Sequence, residues 1–170
     1  ACPAFIGNDD RKPACSYYSI NKQGDVMADY IPPTLDWVRK QVEEYEGSGG
    51  TRGTTLLDTG MPCILVTHTG NQTGGIRKIP LMRVKVDKSY VLVGSMGGQP
   101  KNPVWVYNLR ANPIVEIRDE TDVTAMTTRE VTDEEERERL WKVCVEVFPP
   151  YKEYEAKTTR KIPMFVAEGN

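Results

Sequence analysis

Ten consecutive residues, Thr69 to Lys78, bring glycines, small polar side chains and two cations into one loop. Gly70, Gly74 and Gly75 leave backbone N–H groups approachable, Asn71, Gln72 and Thr73 add polar side chains, and Arg77 and Lys78 supply positive charge. Backbone donors beside cations are what an anionic group needs. Read alone, the segment serves equally as a glycine-rich hairpin with surface charges. It carries neither the Walker pattern nor G-x-G-x-x-G, so those nucleotide-binding modes are unsupported. A second loop, Ser95-Met96-Gly97-Gly98 to Pro103, follows an apolar run and opens a helical pattern. Its glycines let a ligand approach the backbone, which suits an anion or the edge of a planar ring; a turn that merely needs glycine reads the same way.

Further side chains could complete a pocket. Trp105 and Asn108 stand three apart on the helix that follows, so they share a face, although a tryptophan at helical spacing is more often core than platform. Tyr151 and Tyr154 are also three apart, and either phenol could give a proton to a reduced product. His68, the one histidine, lies inside an apolar run and reads as structural. Cys2, Cys15, Cys63 and Cys144 form no Cys-x-x-Cys pair, so no metal is expected. The acidic run Asp133 to Glu138 reads as a solvated helix start, where carboxylates suit the dipole.

The elements that must position these groups can be read from periodicity. Thr34 is the expected N-cap of a helix with Leu35, Val38, Val42 and Tyr45 on its apolar face, ended by Gly47-Ser48-Gly49-Gly50. Packing on the domain is the expected role of that helix; a lid or a peripheral membrane contact is the alternative, disfavoured by its mixed charge. Pro62–Thr69, Lys78–Val86 and Tyr90–Ser95 read as three consecutive antiparallel strands. A short helix spans Pro103–Ala111, and two strands follow, Ile114–Arg118 and Asp122–Glu130. Thr132-Asp133-Glu134-Glu135 is the expected capping box of a helix carrying Leu140, Cys144 and Val147, which Phe148-Pro149-Pro150 breaks. Tyr151–Thr159 forms a short helix and Ile162–Ala167 a closing strand. About six strands with helices inserted between them predict an α+β, mainly β chain built as a small barrel.

The chain has 170 residues, enough for one domain burying roughly 70% of the surface its unfolded form exposes. Residues 1–33 read as an arm, in which Met27 could serve as an internal start, and 34–168 as the single domain. A net charge of −2 gives no global pull toward nucleic acid or an anionic membrane. No apolar run approaches a membrane span and no leader pattern is present, so a cytoplasmic protein is expected.

Taken in order, Gly70-x-x-Thr73-Gly74-x-x-Arg77-Lys78-x-Pro80-Leu81, Ser95-x-Gly97-Gly98-x-Pro100-Lys101-Asn102-Pro103-Val104-Trp105, Asn108-Leu109-x-Ala111-Asn112-Pro113 and Phe148-Pro149-x-Tyr151-x-x-Tyr154-x-x-Lys157-Thr158-x-Arg160-x-Ile162-Pro163 resemble the deazaflavin (coenzyme F420)-dependent nitroreductase family over residues from about Thr34 to Val166. The resemblance implies a split β-barrel like that of FMN-binding oxidases. It also implies hydride transfer from reduced F420 to a quinone, nitroaromatic or other electron-poor conjugated acceptor. Carried over, Arg77 holds the cofactor phosphate, helped by the loop of Asn71, Gln72, Thr73 and Gly74 and by Lys78, with Pro80 behind it. Ser95, Met96, Gly97 and Gly98 lie along the ring or its side chain, and Trp105 and Asn108 close that side. Tyr151 and Tyr154 flank the acceptor, and Tyr151 and Ser95 stabilise charge or deliver a proton. The family usually has lysine or another basic residue where Asn71, Gln72 and Met96 stand; FMN binding in the same fold, or a non-enzymatic ligand carrier, are the alternatives those changes raise. Phe148 and Val106 replace aromatic residues of nitro-activating members, which counts against nitroimidazole activation. Split-barrel relatives are often dimers, but no interface can be read from the sequence and the oligomeric state stays open.

Overall fold

The computed structural model describes residues 28–169; Cys2, Cys15, Met27 and most of the expected arm fall outside them. Four helices and seven strands follow in the order α1 (Asp36–Gly47), β1 (Cys63–Thr69), β2 (Ile76–Met82), β3 (Lys85–Val86), β4 (Ser89–Val93), α2 (Val104–Ala111), β5 (Ile114–Asp119), β6 (Asp122–Glu130), α3 (Glu134–Val147), α4 (Pro150–Lys157) and β7 (Met164–Gly169). All the strands pair antiparallel in one curled sheet ordered β2-β1-β5-β6-β7-β4-β3. This is the expected split barrel in the α+β class.

The sheet is buried on both sides, which explains why β1, β4 and β7 read as continuous apolar runs rather than alternating ones. Ile64, Val66, Tyr90, Leu92, Phe165 and Ala167 face the interior, where α2 inserts Trp105, Val106 and Leu109. The intervening residues Val91, Val93, Met164 and Val166 face outward and are covered by α3 and α4 through Leu140, Cys144 and Tyr151. On another part of the surface Val38 and Val42 of α1 pack on Leu65 and Ile79.

Three sequence expectations are corrected. The expected strand 78–86 is two: Arg83 and Val84 interrupt it, and the chain passes from pairing with β1 to pairing with β4. Arg83 N–H still donates to the Pro62 carbonyl while the Val84 carbonyl accepts from Val91 N–H, so the break is a change of partner strand, and there the Arg83 guanidinium pairs with Asp119 at 2.9 Å, to which the Tyr90 hydroxyl also donates at 2.7 Å. Leu35 rather than Thr34 begins α1, with no side-chain cap, and lies 59% exposed instead of on the apolar face. Asp133 rather than Thr132 caps α3, its carboxylate accepting from the Glu136 N–H at 2.8 Å.

Tyr45 at the end of α1 ties three elements together. Its fully buried hydroxyl donates to the Cys63 carbonyl (3.1 Å) and accepts from the Glu120 N–H (2.8 Å) in the β5–β6 turn. Tyr45→Phe leaves both backbone groups unsatisfied and is expected to lower unfolding stability by about 1–3 kcal/mol, read as a shifted urea midpoint at unchanged slope.

Candidate functional site

The β1–β2 turn is built from its own backbone. Gly70 N–H donates to the Gly75 carbonyl at 2.8 Å, Gly74 N–H to Gly70 at 2.9 Å, and Thr73 Oγ1 accepts from Gly75 N–H at 3.2 Å. Gly70 is closely packed: a Cβ there would lie 2.9 Å from Thr73 Oγ1 and 3.1 Å from Arg77 Nε, so those side chains would have to shift. The turn and α2 enclose a cleft of about 320 Å³ lined by Gly70, Asn71, Gln72, Thr73 and Arg77 on one side and Val104, Tyr107 and Asn108 on the other. Asn108 joins the two walls, its Oδ1 accepting the Asn71 N–H at 3.0 Å. With that oxygen engaged, the other end of the amide is left over. Asn108 Nδ2 is the one fully buried side-chain polar atom without a partner among the described residues. Such an orphan costs about 1–3 kcal/mol unless something completes it. Arg77 forms no ion pair with any described carboxylate, so among the described residues no carboxylate competes for it with an anion entering the cleft.

Lys78 is differently placed. Its ammonium pairs with Glu46 of α1 and lies 5.5 Å from the Tyr30 ring centre, so it is spent on holding α1 to the sheet and is absent from the cleft lining. Pro80 is buried within β2 opposite Leu65. Trp105 is 5% exposed and packs 5.8 Å from Phe165 in the interior. The exposed face of α2 instead presents Val104 and Tyr107, 66% and 45% exposed, at spacings i and i+3 with Asn108 at i+4. Those two wall residues were missed in the sequence. Their signal was the same helical spacing, counted from Val104 instead of Trp105.

His68 lies beside Arg77's strand position, paired with it across β1 and β2. It is 4% exposed, and burial, helped by the Arg77 charge and only partly opposed by the Val66 carbonyl, pushes its pKa down to about 4. It is neutral at ordinary pH.

The second glycine turn lies beyond α2. Met96, Gly97 and Gly98 take three successive left-handed conformations, φ 46°, 62° and 78°. Gly98 has no room for a side chain, since a Cβ would sit 2.7 Å from the Tyr154 carbonyl of α4. Ser95 is nearly buried and Met96 half exposed. Behind the turn, Arg160 donates to the carbonyls of Gly94, Ser95 and Gln99 and to Asn102 Oδ1. Tyr151 and Tyr154 belong to an aromatic cluster with Phe148 and Trp141. Tyr151 is 5% exposed, and burial, with the Cys144 thiol nearby, pushes its phenol well above the ordinary range. Tyr154 is half buried, with the Lys157 ammonium 5.8 Å from its ring centre. The structure therefore gathers Asn71, Gln72, Thr73, Arg77 and Asn108 in one cleft, and sets Ser95, Met96, Gly97 and Gly98 on a separate turn backed by α4.

The fold is thus a split barrel in which the β1–β2 turn and α2 enclose a cleft holding a cation and an unpartnered amide donor. The profile of the F420H(2)-dependent quinone reductase family matches residues 37–169. The chain belongs to that family; it is an F420H2-dependent reductase, and its cofactor is coenzyme F420. An F420H(2)-dependent quinone reductase of Mycobacterium tuberculosis is 34% identical over 125 residues, covering 72% of this chain and 83% of its own. Among solved structures, one titled F420-H2 Dependent Reductase (FDR-A) is 46% identical with a TM-score of 0.59, covering 67% of this chain and 98% of its own. A second, titled a domain-swapped dimer, is also 46% identical with a TM-score of 0.62, covering 78% of this chain and 98% of its own. Neither FMN nor a non-enzymatic carrier is favoured by these relatives. The orphaned Asn108 donor and Arg77, which has no carboxylate partner among the described residues, fit an anionic cofactor, and no described helix is long and apolar enough to cross a membrane.

Proposed function

We propose that Arg77, the 70–73 turn and Asn108 hold the phosphate-bearing tail of F420, and that Ser95 and the 96–98 turn lie along its ring, facing a quinone-type acceptor. The observation that carries this reading is the unpartnered Asn108 Nδ2 in a residue lining the same cleft as Arg77. When bound in its reduced form the cofactor supplies the hydride. The chain's own part is to bind the anion, orient the ring and exclude water. Ser95 is assigned to hydrogen bonding at the ring side, and Tyr154 to flanking the acceptor. Tyr151 is assigned to packing behind Tyr154, because its burial keeps the phenol from the surface. A dimer is carried over from the relative titled as one. A cytoplasmic location is in keeping with Cys63 and Cys144 both being free thiols.

Fluorescence titration with oxidised F420, run beside FMN, tests the cofactor assignment. Arg77→Ala should weaken F420 binding about tenfold or more, the loss of one charge-assisted contact. An unchanged F420 affinity in Arg77→Ala, or tighter binding of FMN than of F420, would sink the reading.

A further inference from the structure

We infer that Arg160 is a positioning residue for the cofactor: one guanidinium holds the Gly94–Asn102 segment in the shape that offers Ser95 and the glycine turn to the ligand. The inference rests on the reading that this turn lies along the ring. Its geometry is independent of that reading. Nε donates to the Gln99 carbonyl at 2.8 Å, Nη1 to the Gly94 carbonyl at 3.1 Å and to Asn102 Oδ1 at 2.8 Å, and Nη2 to the Ser95 carbonyl at 2.7 Å. Two acceptors precede the left-handed turn and two follow it, so the planar fork straddles it.

The turn needs such a support. Its backbone bonds to itself only through Gly98 N–H to Ser95 (2.9 Å) and Gln99 N–H to Met96 (3.2 Å). Met96, with a side chain and φ 46°, holds a left-handed conformation that glycine tolerates and an L-residue disfavours. Arg160 has no described carboxylate partner, so its charge is committed to carbonyls and one amide oxygen. Lysine cannot replace Arg160, because a single ammonium lacks the fork needed to reach both sides of the turn.

Arg160→Lys, Arg160→Ala and the milder Asn102→Ala are compared with the parent protein in three measurements: thermal melting, amide hydrogen exchange of the cofactor-free protein, and F420 fluorescence titration per folded molecule. Arg160→Lys should speed exchange in 94–102 while leaving β1, β5 and β6 protected, and weaken F420 about tenfold. Asn102→Ala should shift both in the same direction by less, and free guanidinium should restore part of the F420 affinity of Arg160→Ala. Lowered melting temperatures with unchanged exchange in 94–102 and unchanged F420 affinity would overturn the proposal, leaving Arg160 merely structural. Loss of binding in Arg77→Ala with full binding in every Arg160 variant would overturn the clamp alone. Full binding in Arg77→Ala with loss in Arg160→Lys would refute the cleft assignment and support the clamp.

Discussion

Asn108→Asp is expected to weaken F420 binding by two orders of magnitude or more. The change is nearly isosteric and keeps the oxygen that accepts the Asn71 N–H, so the wall of the cleft stays in place. What it removes is the unpartnered Nδ2 donor, and what it adds beside the anion is a second negative charge. A lost charge-assisted bond accounts for about 1.5–3 kcal/mol. Repulsion between unit charges about 4 Å apart near a protein surface is on the order of 4 kcal/mol before screening. Asn108→Leu separates the two effects: it deletes the donor without adding charge and should weaken binding about tenfold. Because it also removes a buried orphan, it should cost little unfolding stability, the lost Asn71 bond being offset by the vanished desolvation penalty. Equal, small losses in both variants would show that Nδ2 never meets the anion.

The second large effect is on stability at acid pH. Above about pH 6.5 His68 is neutral in the folded and the unfolded chain and contributes nothing. Between about 6.5 and 4 the unfolded chain takes up a proton that the buried imidazole refuses, so stability falls as pH falls. Below about 4 both states are protonated and the full penalty, roughly 3 kcal/mol, stands. Urea unfolding of the parent at pH 7 and pH 4.5 should show most of this loss. His68→Gln should flatten the curve over that window, since this is the chain's one histidine. Carboxylates held down by arginine, Glu130 by Arg110 and Glu136 by Arg129, add their own losses only nearer their ordinary titration range. An identical pH dependence in His68→Gln would place the acid sensitivity elsewhere.

The barrel was legible because its strands announce themselves locally: apolar runs such as Cys63–Val66 and Tyr90–Val93 are separated by glycine turns. The anion loop was legible for the same reason, its donors and Arg77 lying within eight residues of one another. What escaped was decided by contacts distant in sequence. Lys78 looked like a companion to Arg77 but is claimed by Glu46, 32 residues earlier. Arg83, at the break, pairs with Asp119, 36 residues later, and the Arg160 fork reaches back 58 to 66 residues. Trp105 and Val104 are adjacent, and periodicity alone could not tell which of their faces meets the interior. The missing family cations at Asn71, Gln72 and Met96 were legible as changes, whereas the use of Asn71's backbone N–H to fix the Asn108 amide was not.

The short strip before α1 bears on how the molecule behaves in company. Asp29 and Ile31 bond to both sides of Ile76, at 2.8 Å each, as a one-residue parallel bridge through Tyr30. The Ile31 side chain lies over Gly75, where a Cβ would come within 2.4 Å of it. β2 ends the sheet on that side, and an uncovered terminal strand is a template on which another molecule's strand can add. The strip therefore occupies the free edge of β2 at Ile76, and a chain cut at Pro33 would leave that residue's N–H and C=O open at the rim of the sheet.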